Sequence, residues 1–329
     1  PFWSNFTHQS PRTLPPIRTP RRDSSVMAFA SCEYVFFDLD DCLYKNDWRT
    51  MSHISARVAS YCGDVLHLPE GKAKQLFEEH GSALVGLTSE GLIGDVQVDE
   101  FLAYVHDVPL DGIHHSPPLR EMLQGIPRRR WVFTASTVQH ATRCLLALGI
   151  QDLFLGIIAC SSRDMFGRAG YVTKRSQACF QAAMEIAGVP QGQAHSCVLL
   201  DDSAGNLRAA KEAGWQTVLV GLRAPSGAEV DRTCADAAVE HLLELDTAVP
   251  SLFTRVDFAV VVPSGKRPRV SSQQVCVGRS PAKKISRRSL SPLSTASTAD
   301  TMWLLGESDA GGIRNLHETS SSSSIDSSS

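Results

Sequence analysis

Short apolar runs alternate with longer amphipathic stretches through the central part of the 329-residue chain. Each run is only a few residues long and is closed by polar residues, which is typical of strands buried on both faces of a parallel sheet. Helical spacing between the runs predicts βαβ units, and hence an α/β fold with a doubly wound parallel sheet. The predicted strands are residues 34–37, 131–134, 157–159, 197–200 and 216–221.

A helical insertion is predicted after the first strand, because residues 46–114 show amphipathic spacing and no strand pattern. One of its helices is predicted to begin at Pro69, and residues 80–94 are predicted to form a loop. The other parts of the folded region, residues 31–45 and 115–255, are assigned to the α/β core.

Other segments of the core are interpreted from the same pattern. Residues 176–187 predict a helix, and residues 238–245 predict a last turn or helix. The three arginines at residues 128–130 are interpreted as a solvated connection without a catalytic role. His106 and His140 are interpreted as histidines on helix surfaces.

Charge is distributed unevenly along the chain, although the net charge is only −3. Residues 31–255 hold 19 Lys and Arg against 28 Asp and Glu, a net charge of −9. Each end of the chain, residues 1–30 and residues 256–329, has a net charge of +3. An acidic body between basic ends is not the pattern of a nucleic-acid-binding domain. The nine cysteines include no C-x-x-C pair, which argues against a zinc site or a disulfide framework and suits a reducing compartment.

The ends of the chain also differ from the centre in composition. Residues 1–30 are rich in Arg, Ser, Thr and Pro and are expected to be disordered or transit-like, with Met27 as an alternative start. Residues 256–329 are expected to form a disordered, Ser-rich basic tail, whose basic run at 266–288 leaves nuclear import or a protein partner open. Without a signal peptide or a run of membrane-spanning length, the expected location is cytoplasmic, with nuclear and organelle import as alternatives.

Three carboxylates crowd the end of the first predicted strand: Asp38, Asp40 and Asp41. In open α/β sheets, ligands bind beyond the carboxyl ends of the strands. Like charges at such close range raise one another's pKa unless a cation compensates them, and Mg²⁺ is the divalent cation that suits hard oxygen ligands. The alternative is a strand end whose solvated acids cap the next helix.

Polar residues also follow the later core elements. Thr134 closes the second strand, Lys174 stands just before a predicted helix, and Asp201 and Asp202 follow the fourth strand. Taken singly, these are typical of a turn, a solvated lysine and an N-cap. Together with the Asp-x-Asp of the first strand end, the ordered set resembles the haloacid dehalogenase-like hydrolase superfamily and is most similar to its pyrimidine 5′-nucleotidase branch. The resemblance covers residues 34–253.

The resemblance implies a Rossmann-like core with a helical cap and phosphoryl-transfer chemistry. It implies that Asp38 attacks phosphorus to form an aspartyl-phosphate, and that Asp40 protonates the leaving oxygen and later deprotonates water. Dehalogenases of the superfamily lack the second Asp, so the presence of Asp40 favours phosphate chemistry. The implied catalytic residues are Asp38, Asp40, Thr134 and Lys174, and the implied Mg²⁺ ligands are Asp38, Asp40, Asp201 and Asp202.

Substrate recognition is implied at the cap. The segment that begins His80-Gly81-Ser82 matches the cap motif of the nucleotidase branch in outline. The implied substrate-binding residues are therefore His80, Gly81 and Ser82, together with Ala135 beside the second motif.

Departures from the pattern of the family occur in the core motifs and in the cap, where an aromatic residue and two threonines are replaced by His80, Ser82 and Ala83. Cys42 replaces the usual Thr of the first motif, Ala135 an Asn and Arg175 a Pro. Asp41 fills a position that usually holds Asn and is interpreted as a loop or capping residue, and Cys42 is interpreted as a packing residue. The departures leave the catalytic set intact and leave base recognition open.

The activity expected from these residues is that of a magnesium-dependent phosphomonoesterase acting on nucleoside 5′-monophosphates, with pyrimidine nucleotides favoured by the resemblance. A small phosphate ester is the expected partner, without a membrane or a nucleic-acid polymer. One alternative is a phosphatase of another small ester, such as a sugar phosphate or phosphoglycolate. The alternative of a different class is a catalytically weak regulatory or interaction protein.

Overall fold

The apolar runs of the sequence form one sheet. In a computed structural model, which describes residues 29–255, all five predicted runs are strands. The strands are β1 (Tyr34–Phe37), β2 (Arg129–Thr134), β3 (Ile157–Ala159), β4 (Cys197–Asp201) and β5 (Gln216–Val220), and a further strand, β6 (Ala237–Val239), follows them.

The strand β6 corrects the prediction of a turn or helix at residues 238 and 239, whereas the later part of the predicted range 238–245 does form a turn. Its three residues have no strand pattern of their own, and β6 is defined by its parallel pairing with β5, in which Val220 lies opposite Val239. A single 3-10 turn (Leu242–Glu244) follows, and then a short helix (Leu245–Ala248). Pairing with an existing edge therefore decides the conformation where local sequence does not.

The order of the strands places β1 at the centre. The sheet runs β3-β2-β1-β4-β5-β6 and all its pairings are parallel, as predicted for a doubly wound fold. In register, Phe37 at the end of β1 lies opposite Val132 of β2 and Leu200 of β4. The strand order changes direction between β1 and β4, which creates the crevice where open α/β sheets bind their ligands.

Helices cover both faces of the sheet, so β1 is buried throughout. Val35 and Phe37 face one core cluster, and Tyr34 and Phe36 face the other. Phe29 also packs in the first cluster, two residues before the predicted start of the core. The core helices are α5 (Pro117–Gln124), α6 (Val138–Leu148), α7 (Arg163–Ala169), α8 (Gln177–Ala187), α9 (Ala204–Glu212) and α10 (Leu245–Ala248).

The insertion between β1 and β2 is helical, and we call it the cap. It has its own apolar cluster, built around Tyr61, Leu76, Leu87 and Phe101. The cap helices are α1 (Arg49–Ser60), extended by a π-helical turn (Tyr61–Val65), then α2 (Lys72–His80), α3 (Ala83–Ser89) and α4 (Asp95–Val105).

Two predictions within the cap are wrong. Helix α2 begins at Lys72, not at Pro69, because the chain turns through Gly71 at a φ of 80° just before the helix. Residues 80–94 are not one loop, since they contain α3, whose Leu84 and Leu87 face the apolar cluster of the cap. The glycines and serines of this segment obscured its helical spacing.

Two predictions in the core are also corrected. Helix α7 was absent from the sequence interpretation, and Lys174 lies in the connection between α7 and α8 rather than directly at a strand end. Arg129 and Arg130 belong to β2, while Arg128 is buried and donates to the Ser251 and Thr254 carbonyls. The arginines are therefore structural and do not form a solvated connection.

Several expectations concern residues that the structure does not describe. The predicted basic tail from residue 256 lies outside the described range, as does the predicted N-terminal segment up to residue 28. Among residues 29–255, no helix combines the length and the apolar character that crossing a membrane requires.

Candidate active site

Two carboxylates follow the first strand and lie at the carboxyl edge of the sheet. β1 ends at Phe37, and the backbone N–H of Asp38 donates to the Leu200 carbonyl at 2.8 Å, which continues the contact with β4. The side chains of Asp38 and Asp40 are both buried, and both line the same cavity. Carboxylates that are so little exposed to solvent need charged or hydrogen-bonding partners.

Lys174 joins the ends of β1 and β4 through two ion pairs. Its Nζ lies 2.5 Å from Asp38 Oδ1 and 2.7 Å from Asp201 Oδ2, and it donates to the Phe133 carbonyl at 3.1 Å. Burial alone would lower the pKa of Lys174, but the charges of Asp201 and Asp38 raise it well above its ordinary value. The buried lysine is therefore a fixed positive charge between the two carboxylates.

Asp201 is oriented by the loop that leads into α9. Its Oδ1 accepts hydrogen bonds from the Ser203 backbone N–H at 2.9 Å and from Asn206 Nδ2 at 3.0 Å. The other oxygen, Oδ2, is the one that faces Lys174. Asn206 therefore holds Asp201 directly.

The acidic cluster has the composition of a site for a hard cation. One oxygen from each of Asp38, Asp201 and Asp202 lies within 4.8 Å of the others. Burial raises the pKa of Asp38 to about 7, with Asp201 adding to the shift and Lys174 opposing it. Burial and the charges of Asp201 and Asp38 raise the pKa of Asp202 well above its ordinary value. A divalent cation would relieve this repulsion, and a donor set of carboxylate oxygens fits Mg²⁺.

Asp40 is held by three donors that the sequence interpretation did not assign to it. Ser136 Oγ donates to Asp40 Oδ2 at 2.6 Å, while Tyr44 Oη and His140 Nε2 both contact Oδ1, the latter at 2.9 Å. Burial alone would raise the pKa of Asp40, but His140 and the hydrogen bonds from Ser136 and Tyr44 outweigh it and lower the pKa to about 2. The structure thus holds Asp40 as a carboxylate.

His140 is not a helix-surface residue, and neither is His106, which is the C-cap of α4 and lines the cavity, so both interpretations are corrected. His140 is 1% exposed and lies near the start of α6, where Thr137 is the N-cap. Side chains in a helix lean toward its N-terminus, so a histidine in the first turn of α6 can reach back to the strand ends. The position of His140 three residues after the N-capping Thr137 was the sequence signal that could have placed it in the first turn of α6.

Thr134 takes the place that the sequence predicted, at the end of β2. Its hydroxyl oxygen accepts the Ser136 backbone N–H at 3.0 Å, which leaves the hydroxyl hydrogen able to donate to a ligand. Thr134 and Ala135 both line the cavity next to the carboxylates. The ends of β1, β2 and β4 therefore supply one polar surface of the cavity. We call it the polar floor, and its residues are Asp38, Asp40, Thr134, Lys174 and Asp202.

The cavity lies between this polar floor and the cap, and its volume is about 690 Å³. The cap contributes an apolar wall that includes Ile54, Phe77, Leu84 and Phe101, with Trp48 beside it. Such a space exceeds the volume of a phosphate group several-fold and is within the range of small-molecule pockets, roughly 300–1,000 Å³. The site can therefore enclose a phosphorylated molecule with a sizeable organic part.

The three predicted cap residues are not equivalent. Gly81 and Ser82 line the cavity. His80 does not belong to its lining, and its Nε2 lies 3.7 Å from Glu90 Oε1 on the side of the cap. The structure brings Gly81 and Ser82 to the site and leaves His80 outside it.

Two of the unusual residues occupy different environments. Cys42 is 2% exposed, its thiol donates to the Leu200 carbonyl at 3.5 Å, and it is not among the residues that line the cavity. Burial raises the pKa of this thiol well above its ordinary value, which agrees with a packing role. Arg175 is exposed and lines the cavity, with its side chain against Gly81 of the cap and Gly205 of α9.

The arrangement of the strand ends defines a class of hydrolase. The sequence model of one protein family, the haloacid dehalogenase-like hydrolases, matches residues 32–214, which is more than half of the chain. The protein belongs to this family. The matched range includes all the residues of the polar floor.

Among curated proteins, the chain is similar to Phosphate metabolism protein 8 of Saccharomyces cerevisiae. The two are 29% identical over 196 residues, which cover 56% of this chain and 60% of the yeast protein. The chain therefore spans less than two thirds of the length of that relative.

Among solved structures, the chain is similar in fold to family members of low identity. L-2-haloacid dehalogenase from Xanthobacter autotrophicus has a TM-score of 0.41 and 14% identity, over 66% of this chain and 97% of that enzyme. A predicted phosphoglycolate phosphatase from Haemophilus somnus 129PT has a TM-score of 0.38 and 18% identity, over 58% of this chain and 85% of that protein.

Proposed function

We propose that the protein is a magnesium-dependent phosphomonoesterase that hydrolyses nucleoside 5′-monophosphates, with pyrimidine nucleotides preferred, through an aspartyl-phosphate. The observation that carries the proposal is the buried ammonium of Lys174 between Asp38 and Asp201, at the floor of a large cavity. A fixed cation beside a carboxylate is what attack by that carboxylate on a phosphate dianion requires, because it offsets the repulsion between two anions.

The first half of the reaction uses the two carboxylates of the first motif. An oxygen of Asp38 forms a bond to phosphorus while the bond from phosphorus to the ester oxygen breaks, and its electron pair goes to the leaving oxygen. Asp40 transfers to the leaving oxygen the proton that it took from water in the second half of the preceding turnover, or from solvent water before the first turnover. The Thr134 hydroxyl and Lys174 contact the oxygens of the transferring phosphoryl group.

The second half reverses the role of Asp40. The carboxylate of Asp40, which is the form that its three donors favour, removes a proton from water as the water oxygen bonds to phosphorus. The bond between phosphorus and the Asp38 oxygen then breaks and inorganic phosphate is released. Mg²⁺, held by Asp38, the Asp40 carbonyl, Asp201 and Asp202, would supply positive charge to the phosphoryl oxygens.

The choice of a nucleotide rests on the cavity and on the cap motif. A nucleoside fits a space of about 690 Å³ that is polar at the floor and apolar toward the cap. Trp48, Phe77 and Phe101 offer aromatic surfaces to a base. The name of the yeast relative refers to phosphate metabolism, which agrees with a phosphate ester as the substrate.

A second candidate substrate is a small phosphate ester with another anionic group, such as phosphoglycolate or a sugar phosphate with an acidic group. The observation that favours it is Arg175, an exposed guanidinium that lines the cavity. Arg175 stands where the family pattern has Pro, so the pattern itself supplies no charge at this position. The intact carboxylate and lysine set favours either phosphatase over a catalytically weak interaction protein.

The test is phosphate release with Mg²⁺ across nucleoside 5′-monophosphates, sugar phosphates and phosphoglycolate. We expect the highest kcat/KM for pyrimidine nucleotides and loss of activity on removal of the metal by a chelator. Asp38→Asn should lower turnover by at least about 10³-fold, because it removes the nucleophile.

Circular dichroism and thermal unfolding should show that the Asp38→Asn variant is still folded. Substantial phosphate release by the folded variant would contradict the aspartyl-phosphate route. A preference for phosphoglycolate that is lost in Arg175→Gln would favour the second substrate.

A further inference from the structure

One buried histidine at the site takes part in the proposed reaction only through its contact with Asp40. His140 is 1% exposed, and its Nε2 lies 2.9 Å from Asp40 Oδ1. The ring is carried by α6, on the chain segment that follows Thr134 of the polar floor. A buried imidazole that contacts a reacting carboxylate can orient that carboxylate.

The position of the ring is fixed by the start of α6. Thr137 is the N-cap, and its hydroxyl accepts the backbone N–H of His140 at 3.2 Å. Its carbonyl also accepts the backbone N–H of Ala141 at 2.9 Å. These bonds set where the helix begins, and thereby the direction from which the imidazole approaches Asp40.

The hydrogen bonds of the ring assign its donor. Within residues 29–255, Nδ1 of His140 has no hydrogen-bond partner, whereas Nε2 faces Asp40 Oδ1 and lies 3.5 Å from Cys144 Sγ. A carboxylate accepts and does not donate, so Nε2 carries the hydrogen that points at Asp40.

We propose that His140 is a positioning residue that acts through Asp40, holding its carboxyl group in the orientation from which it exchanges a proton with the ester oxygen. The proposal rests on the role given to Asp40 under the proposed function. Ser136 fixes Oδ2, so His140 and Tyr44 at Oδ1 complete the restraint of the carboxyl group at both oxygens. Without the imidazole, Tyr44 alone restrains Oδ1, and the carboxyl group is held less firmly in that orientation.

The consequence is specific to one chemical step. In that step the O–H bond of protonated Asp40 breaks, the proton joins the ester oxygen, and the phosphorus–oxygen bond gives its electron pair to that oxygen. An alcohol needs this proton to leave, whereas p-nitrophenolate is stable as an anion and needs it much less. Loss of His140 should therefore affect esters of alcohols more than p-nitrophenyl phosphate.

The experiment compares kcat/KM of His140→Ala for a nucleoside 5′-monophosphate and for p-nitrophenyl phosphate. We expect a loss of about 10²-fold for the nucleotide and at least about tenfold less loss for the aryl ester, within the range of general acid–base effects. His140→Gln, whose amide N–H can still reach Asp40, should recover much of the activity on the nucleotide.

Two further variants separate positioning from packing. Cys144→Ala opens space against the same ring nitrogen and should change the two esters equally, since Cys144 has no contact with Asp40 among the hydrogen bonds of residues 29–255. In an Asp40→Asn background, His140→Ala should add no further difference between the esters, because the residue through which it acts is gone.

A spectroscopic measurement tests the contact independently of activity. In protein labelled with ¹⁵N at histidine, we expect a hydrogen-bonded ring proton on Nε2 that disappears in His140→Ala and shifts in Asp40→Asn. Equal losses on both esters would overturn the proposal, and so would absence of this proton from the unmodified protein. If the unmodified protein hydrolyses neither ester, the proposed function fails, and the ring proton still decides whether His140 holds Asp40.

Discussion

Asp41, next to Asp40, combines three unfavourable features in one residue. Its φ of 55° lies in the left-handed region, its side chain is 2% exposed, and its Oδ2 has no hydrogen-bond partner within the described part of the chain. Burial, and then the charge of Asp40, raise the pKa of Asp41 from 3.8 to about 8. The family usually has Asn here, which has no charge to bury and adopts the left-handed region readily.

We predict that Asp41→Asn stabilises the metal-free protein. The folded state keeps a proton on Asp41 up to about pH 8, whereas the unfolded chain releases it near 3.8, so this residue lowers stability as pH rises through that interval. The gain from the substitution should therefore be larger at pH 8 than at pH 5. We expect about 1–3 kcal/mol at pH 8, the cost of a buried unpaired polar group.

Urea unfolding at the two pH values, with a chelator present, measures the gain. Asp47→Asn is the matched control, because Asp47 has a similar φ of 57° but a side chain that is 88% exposed. The control should give a small gain that does not depend on pH. An equal gain at both pH values for Asp41→Asn would show that backbone preference, and not the buried charge, explains it.

At the residue scale, the sequence predicted the parts of the site that follow chain order. Asp38, Thr134 and Asp201 end or directly follow their own apolar runs, so each could be located from its strand. Ser136 and His140 could not be assigned to Asp40 from spacing alone, because their contacts depend on how the segment that follows β2 packs beside the end of β1. Local spacing shows where a helix begins, but not which carboxylate its first turn will meet.

At the scale of elements, the packing of α3 against α2 depends on one glycine. A Cβ added at Gly86 would lie 2.8 Å from Leu76 Cβ and 2.9 Å from Leu76 Cδ2, and Leu76 is fully buried. The two helices therefore approach more closely than an alanine would allow. In contrast, a Cβ added at Gly167 of α7 would meet nothing within 4 Å.

We predict opposite effects for the same substitution at these two helical glycines. Gly86→Ala should lower the free energy of unfolding by about 1–3 kcal/mol, because the added methyl group overpacks the cap. Gly167→Ala should raise it by about 0.5–1 kcal/mol, through helix propensity alone. Denaturant unfolding measures both, and a stabilised Gly86→Ala variant would mean that α3 can move away from Leu76 at little cost.

The elements that the sequence missed are the ones that tertiary contacts define. β6 exists through its pairing with β5, and α7 through its packing, with Met165 buried in the core and Phe166 against the apolar cluster of the cap. The segments with a clear pattern, such as α8 and β4, have bounds close to those predicted. Short elements carry too few residues for a period to emerge above the noise of composition.

At the scale of the whole molecule, the fold assembles one charged centre from distant parts of the chain. Lys174 is separated by 136 residues from Asp38 and by 27 from Asp201, and the central position of β1 beside β4 brings them together. Three carboxylates, Asp38, Asp201 and Asp202, then face this one ammonium. When all four groups are ionised, two negative charges remain uncompensated, and a doubly charged cation balances them.

We therefore predict that Mg²⁺ stabilises the folded protein even without substrate. At about 100 times its dissociation constant, a ligand of the folded state adds about 2.7 kcal/mol, which for a domain of this size corresponds to a rise in Tm of about 5–10 °C. Thermal unfolding with Mg²⁺ and with a chelator measures the rise.

The Asp202→Asn variant should lose most of this rise in Tm, because the substitution removes one ligand oxygen and one charge. Asp64→Asn, at an exposed position in the cap, should keep it. Equal rises in the two variants would place the stabilising magnesium elsewhere on the protein.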